Sequence, residues 1–245
     1  MEIFKFNDGI YEGEAIDGVP NGKGKFTSTV SYVYEGEFLN GNFHGKGKLT
    51  SSDGSVLDGM WINDEFIDNE TYQRMRVNIE NGITQTLSDA EIIEIHNYYT
   101  QASIHMSKNN FVEEFEALSK ALAIAPNNAS TLVKIGRCYR SLGQHDNAID
   151  SYKKAIQIDP SFGVAYTNLG LVYLLKEEWL EAIKQYKTGL ALSDQNTDEY
   201  WTAYANYAIV IGNLGDTDRA KEMISEAEKH GYKNGDNCRS MAGIK

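Results

Sequence analysis

The chain has 245 residues, 41% of them hydrophobic, which suits one large packed unit or two modest ones and argues against wholesale disorder. Its formal net charge of −12 repels a phosphate backbone, so nucleic acid is not an expected partner. Cys138 and Cys238 have neither disulfide-framework nor metal-site spacing. Met1 to Ile10 carries Glu2 and Asp8 in place of a secretory apolar run, and nowhere do eighteen apolar residues follow one another. The expectation is a cytoplasmic protein.

The first elements repeat. Tyr11-Glu12-Gly13-Glu14 returns 23 residues later as Tyr34-Glu35-Gly36-Glu37, and again, degraded, as Leu57-Asp58-Gly59-Met60. Gly22-Lys23-Gly24-Lys25 returns at the same offset as Gly45-Lys46-Gly47-Lys48. Between the blocks lie turn residues, Gly18-Val19-Pro20-Asn21 and Asn40-Gly41-Asn42, so each unit reads as two short antiparallel strands joined by a tight turn. Asp8-Gly9 and Ser52-Asp53-Gly54 read as turns between units.

On these blocks, residues 10 to 66 resemble the MORN repeat family, whose signature is a YEG strand followed by a GKG strand. The third unit departs from it: Leu57 replaces the tyrosine and no GKG follows Phe66, so the array is expected to end there. Beyond it, Met75, Val77 and Ile79 alternate with polar residues, and Asn81-Gly82 precedes Ile83 to Leu87. Asn-Gly between alternating runs predicts a closing hairpin.

The second half has another period. Pro126 and Pro160, Gly136 and Gly170, Tyr139 and Tyr173, Ala148 and Ala182, and Tyr152 and Tyr186 are each 34 apart. Leu132, Ile135, Gly136 and Tyr139 fall on one helix face; after Leu142-Gly143, Ala148, Tyr152 and Ala155 line a second helix. The third unit repeats the set as Tyr166, Leu169, Gly170, Tyr173, Ala182, Tyr186 and Gly189, and a fourth, four residues late, holds Tyr204, Tyr207, Ala208, Ile211 and Ala220. The first unit is worn, with Tyr98, Ala102 and His105, then Glu114, Leu118 and Ala121. Ser88 with Glu91 reads as a capping box opening its first helix, and Cys238, Met241 and Ile244 as a short final helix.

From about 89 to 230 the chain closely resembles the tetratricopeptide (TPR) family. The resemblance implies a groove, lined by the first helix of each pair, that binds a protein segment. Subtracting the core positions leaves Ser130, Val133, Arg137 and Arg140 for the second unit, Val164, Thr167, Asn168, Leu171, Leu174 and Leu175 for the third, and Thr202, Ala205, Asn206 and Ile209 for the fourth. An apolar strip beside two arginines suits a ligand with apolar anchors and an acidic group, because the guanidinium fork grips carboxylate bidentately. One TPR subgroup clamps a chaperone's terminal carboxylate with groove lysines, asparagines and an arginine. Those slots here hold Tyr99, Ser103, Lys134, Val164 and Asn168, or in a second register Val133, Arg137, Asn168, Thr202 and Asn206; only Asn168 matches, which disfavours that clamp.

The MORN resemblance also implies anionic lipid as a rival ligand, through Lys23, Lys25, Lys46 and Lys48. Glu12, Glu14, Glu35 and Glu37 match them on partner strands, however, and residues 1–66 hold five lysines against eleven acids. Cross-strand pairing, at about 0.2–1 kcal/mol per pair, is the better reading. The aromatic rows with Tyr11, Tyr34, Phe26 and Phe43 fill a hairpin core or present a docking face. His44, His96, His105, His145 and His230 are scattered, and no nucleophile or phosphate-loop motif appears. The expectation is therefore an α+β chain: an antiparallel MORN-like hairpin array over 1–87, then an all-α TPR superhelical solenoid of about four helix pairs over 88–245. Its expected role is that of a non-catalytic adaptor without cofactor or metal. The groove would hold a protein or peptide segment, and the hairpin array would dock a second protein or a copy of itself as a homo-oligomer. Peripheral membrane tethering is the alternative.

Overall fold

The computed structural model of the chain describes residues 2–80 and 86–244. Its first compact unit takes in residues 2–80 and 86–97, and its second residues 98–244. The expected boundary at 87/88 falls just ahead of the helix Asp89–Ser107, which contributes residues to both.

The first unit is built on a seven-stranded antiparallel meander in which every strand pairs with its neighbours in chain order. The strands are β1 (Glu2–Phe6), β2 (Gly9–Ile16), β3 (Val19–Ser28), β4 (Tyr32–Leu39), β5 (Asn42–Ser51), β6 (Val56–Ile62) and β7 (Glu65–Ile67). Asp17-Gly18, Asn40-Gly41 and Asn63-Asp64 make three two-residue turns at positive φ, which matches the strands' right-handed twist. The turn between β2 and β3 lies at Asp17-Gly18 and shares only Gly18 with the stretch expected to form it; Val19, Pro20 and Asn21 already belong to β3. Likewise Asn7-Asp8 turns, and Gly9 opens β2.

The YEG–GKG signature has a steric cause. Gly13 faces Gly24 across β2 and β3, and Gly36 faces Gly47 across β4 and β5. The Tyr11 ring lies over the first pair, so close that a Cβ on Gly24 would sit 2.4 Å from it; Tyr34 covers the second pair, and a Cβ on Gly47 would meet its hydroxyl at 2.1 Å. Each hydroxyl donates to a backbone carbonyl three residues on, Glu14 O at 2.6 Å and Glu37 O at 3.1 Å. Both rings are fully buried with Phe26, Phe38 and Trp61. In the third unit Leu57 stays exposed and Trp61 covers the sheet instead, its Nε1 donating to Gly47 O at 3.0 Å.

Residues 69–80 are a helix, α1 (Asn69–Glu80), where the alternation of Met75, Val77 and Ile79 predicted a strand. Asp68 decides the start: its carboxylate accepts from Thr71 N at 2.9 Å, and its carbonyl from Tyr72 N at 2.9 Å. Tyr72 and Ile79, two helical turns apart, are the buried pair, whereas Val77 is 65% exposed. The Asn81-Gly82 turn and the strand that would follow it fall mostly outside the described residues. Asp89 ties the segment down by accepting from Tyr72 Oη at 2.7 Å and from Arg76 Nη1 at 3.0 Å, and by pairing with Lys46 of β5.

Four helix pairs follow: α2 (Asp89–Ser107) with α3 (Phe111–Ile124), α4 (Ala129–Ser141) with α5 (His145–Ile158), α6 (Gly163–Leu175) with α7 (Trp179–Ala191), and α8 (Asp198–Asn213) with α9 (Thr217–Lys229). The Ser88–Glu91 capping box forms reciprocally, Ser88 N donating to Glu91 Oε2 at 2.8 Å and Glu91 N to Ser88 Oγ at 3.3 Å. The fourth pair comes late because a loop at 193–197 precedes α8, which Thr197 caps. Tyr152 lies against Gly136, and Tyr186 against Gly170, where a Cβ would meet the ring at 2.6 and 3.1 Å. The final helix, α10 (Gly235–Met241), closes the stack, with Ala242 against Gly212.

Candidate docking groove

Helix α4 starts on a buried cap: Asn128 Oδ1 accepts from Thr131 N at 2.7 Å and from its hydroxyl at 3.0 Å. This start phases Lys134, Arg137 and Arg140, three residues apart, along one partly exposed side of the helix. The three cations have different surroundings.

Lys134 Nζ lies 4.0 Å from the centre of the Tyr99 ring, a cation–π contact, and burial beside Arg137 lowers its pKa from the usual lysine range. Tyr99 in turn shares a hydrogen bond with Thr131. Arg137 is committed to the carboxylate of Glu114 on α3, which is 1% exposed. The same carboxylate and burial push the Cys138 thiol up to about 12, burial being the larger cause. Arg140 Nη1 comes within 3.5 Å of Asn168 Oδ1 on α6, while the Asn168 amide donates to Val164 O at 2.9 Å. Arg140 also acts electrostatically on the buried phenols of Tyr152 and Tyr186, partly offsetting the rise in pKa that burial imposes.

Among the residues assigned to the groove from sequence, Ser130, Arg137, Arg140, Thr167, Asn168, Leu171 and Asn206 are half-buried, and Val164, Leu175 and Thr202 are exposed. Val133, Leu174, Ala205 and Ile209 are buried in the shared helical core, Val133 at 8% and Ile209 at 3% exposure, and have little surface to offer a ligand. Glu114, read from the sequence only as a position of the worn first unit, is the residue that engages Arg137. Its signal was present in the period: it occupies the column of Ala148 and Ala182, and a carboxylate in an alanine slot needs a cation within reach.

On the sheet, Lys25 pairs with Glu35 at 2.7 Å and Lys46 with Asp89, so two of the four lysines of the GKG strands are tied to acids. Among the described residues no group of three His, Cys, Asp or Glu could hold a metal, and no helix is long and apolar enough to cross a membrane.

A glycine-paved hairpin meander followed by stacked helix pairs defines a two-part repeat protein. Residues 11–29 and 34–56 match the MORN repeat family, and residues 136–177 match the TPR repeat family. The chain is 31% identical over 109 residues to small glutamine-rich tetratricopeptide repeat-containing protein 2 of Mycosarcoma maydis, covering 44% of this chain and 31% of the relative. It is 27% identical over 143 residues to Hsp70-Hsp90 organizing protein 3 of Arabidopsis thaliana, covering 53% of this chain and 26% of the relative. It thus spans less than a third of either. A solved O-GlcNAc transferase of Thermobaculum terrenum superposes with a TM-score of 0.53 at 18% identity, over 58% of this chain and 27% of that one, a likeness of fold alone.

Proposed function

We propose that the chain is a non-catalytic adaptor of the cytoplasm whose helical groove holds a segment of a protein partner, while its hairpin array docks a second protein. The observation that carries the reading is the side of α4 and α6: Arg140 reaches Asn168 of α6, whose amide is bonded to Val164 O, Val164 and Leu175 are exposed and Leu171 half-buried on that helix, and Lys134 lies on the same side of α4 as Arg140. That surface suits a segment with apolar anchors and an acidic group. A ligand carboxylate has Arg140 and Lys134 to meet, since Arg137 is already occupied by Glu114. The relatives named above include an organizing protein of two chaperones. The clamp geometry of that kind is not the one proposed here, because Val133 is buried and Arg137 is engaged.

Pull-down from native-cell extract by the full chain, compared with Arg140→Glu and Lys134→Gln, tests the groove. Loss of a defined partner set with unchanged thermal stability supports it; undiminished recovery by both variants removes the groove from the account.

A further inference from the structure

A second surface lies on the aromatic face of the sheet. Strand alternation sends Tyr11, Phe26, Tyr34 and Leu49 to one face and the Glu12–Lys25–Glu35–Lys48 row to the other. The aromatic side is not closed. A hollow of about 590 Å³ opens on it, and its floor carries Phe26, Tyr32 and Phe43. Their ring centres form a near-equilateral triangle with sides of 6.0, 6.1 and 6.1 Å, the rings splayed at 37°, 56° and 86° instead of stacked. Phe26 is nearly covered; Tyr32 and Phe43 are half-open.

The charged groups lining this hollow are both acids, Asp8 from the β1–β2 turn and Asp64 from the β6–β7 turn. Both line the hollow together with Tyr32, whose phenol pKa is raised by burial first and then by the two carboxylates. Asp64 Oδ1 accepts from Phe43 N at 2.7 Å, so the backbone orients it and one oxygen is left over. Among the described residues neither acid takes part in an ion pair. Two exposed carboxylates over three aromatic rings complement a cation on an aliphatic stem. The rings offer apolar surface to the methylenes and π faces to the cation, and the acids neutralise the charge. An acidic or phosphate-bearing ligand would meet repulsion at the same place.

We propose that this hollow docks a basic segment of a partner protein, a lysine or arginine flanked by apolar residues, inserted over Phe26, Tyr32 and Phe43 between Asp8 and Asp64. This names the chemistry of the partner of the hairpin array, rests on the reading of that array as a second docking surface, and is independent of the helical groove.

The test uses the full chain on an array of immobilised heptapeptides whose central residue is lysine, arginine, norleucine or glutamate, with apolar flanks in all combinations. Lysine- and arginine-centred peptides are expected to be retained, with binding weakened about five- to tenfold in the double variant Asp8→Asn, Asp64→Asn. Asparagine at 64 keeps the acceptor for Phe43 N, and circular dichroism checks the sheet. Arg140→Glu leaves this binding unchanged, so failure of the helical groove and failure of the hollow are separable. Read on Arg140→Glu, so that peptides held by the helical groove do not count, equal retention of norleucine peptides, preference for glutamate, absence of retention, or indifference to adding the double variant overturns the proposal.

Discussion

Arg137 of α4 donates from Nη2 to the carboxylate of Glu114 on α3, and that carboxylate fills the slot that holds Ala148, Ala182 and Ala220, each fully buried, in the next three helix pairs. The pair therefore belongs to the seam between the first and second repeats. Removing the arginine strands a buried charge, whereas removing the glutamate restores the small residue of the other repeats. Arg137 is 37% exposed, so solvent softens the penalty. Arg137→Ala is expected to cost about 2–3 kcal/mol, Glu114→Ala about 1 or less, and the double variant little more than Glu114→Ala alone. Urea unfolding of the four proteins measures this cycle. Additive single costs would mean the two groups do not interact.

Alkaline stability follows from the same seam. The Cys138 thiol rises from 9.0 to about 12, and the Tyr152 phenol from 10.0 to about 12, in both cases chiefly through burial. Above pH 9 the unfolded chain releases these protons while the folded one keeps them. The unfolded state then binds fewer protons, and stability falls as pH rises toward 12. Melting temperatures at pH 8, 9, 10 and 11 should decline, and Cys138→Ala should flatten the slope by up to about 1.4 kcal/mol per pH unit. An unchanged slope would place the thiolate cost elsewhere.

Tyr152 and Tyr186 are buried with hydroxyls that make no hydrogen bond. A hydroxyl buried without a partner costs about 1–3 kcal/mol. Tyr152→Phe, which keeps the ring against Gly136, is accordingly expected to raise the melting temperature. A clear loss of stability would show that the hydroxyl has a partner in solution.

In the sheet, identical substitutions should act for different reasons. Gly24→Ala and Gly47→Ala drive a methyl into the Tyr11 and Tyr34 side chains, and each is expected to cost about 1–3 kcal/mol or more by overpacking. Gly18→Ala meets no atom but must hold φ at +78°, a backbone cost of about 1 kcal/mol. Pairing Gly47→Ala with Tyr34→Leu should recover part of the loss, since Leu57 occupies the tyrosine position of the third unit. Gly18→Ala should recover nothing from a change at Tyr34.

Both periods were legible because each repeats a steric demand: glycine under tyrosine every 23 residues, and glycine and alanine against tyrosine every 34. The helix pairs follow from those demands, the capping box from the spacing of Ser88 and Glu91, and the final helix from that of Cys238 and Met241. Helix α1 was not legible as a helix, because Met75, Val77 and Ile79 fit a period of two as well as their neighbours fit one of 3.6; the buried pair Tyr72 and Ile79 and the cap at Asp68 decide it. Groove assignment by subtraction went as far as the helix faces allow. It could not separate Val133 and Ile209, which the neighbouring helices cover, from Val164 and Leu175, which they leave open. The acidic aromatic hollow was hidden because Asp8 and Asp64 lie 56 residues apart and meet only when the meander folds.

The most direct test of a two-surface adaptor is quantitative capture from native-cell extract by three full-length baits: the natural chain, Arg140→Glu, and Asp8→Asn with Asp64→Asn. The account predicts that each variant loses a different subset of the partners and keeps the other's. Loss of one common set by both, or of none by either, would contradict it.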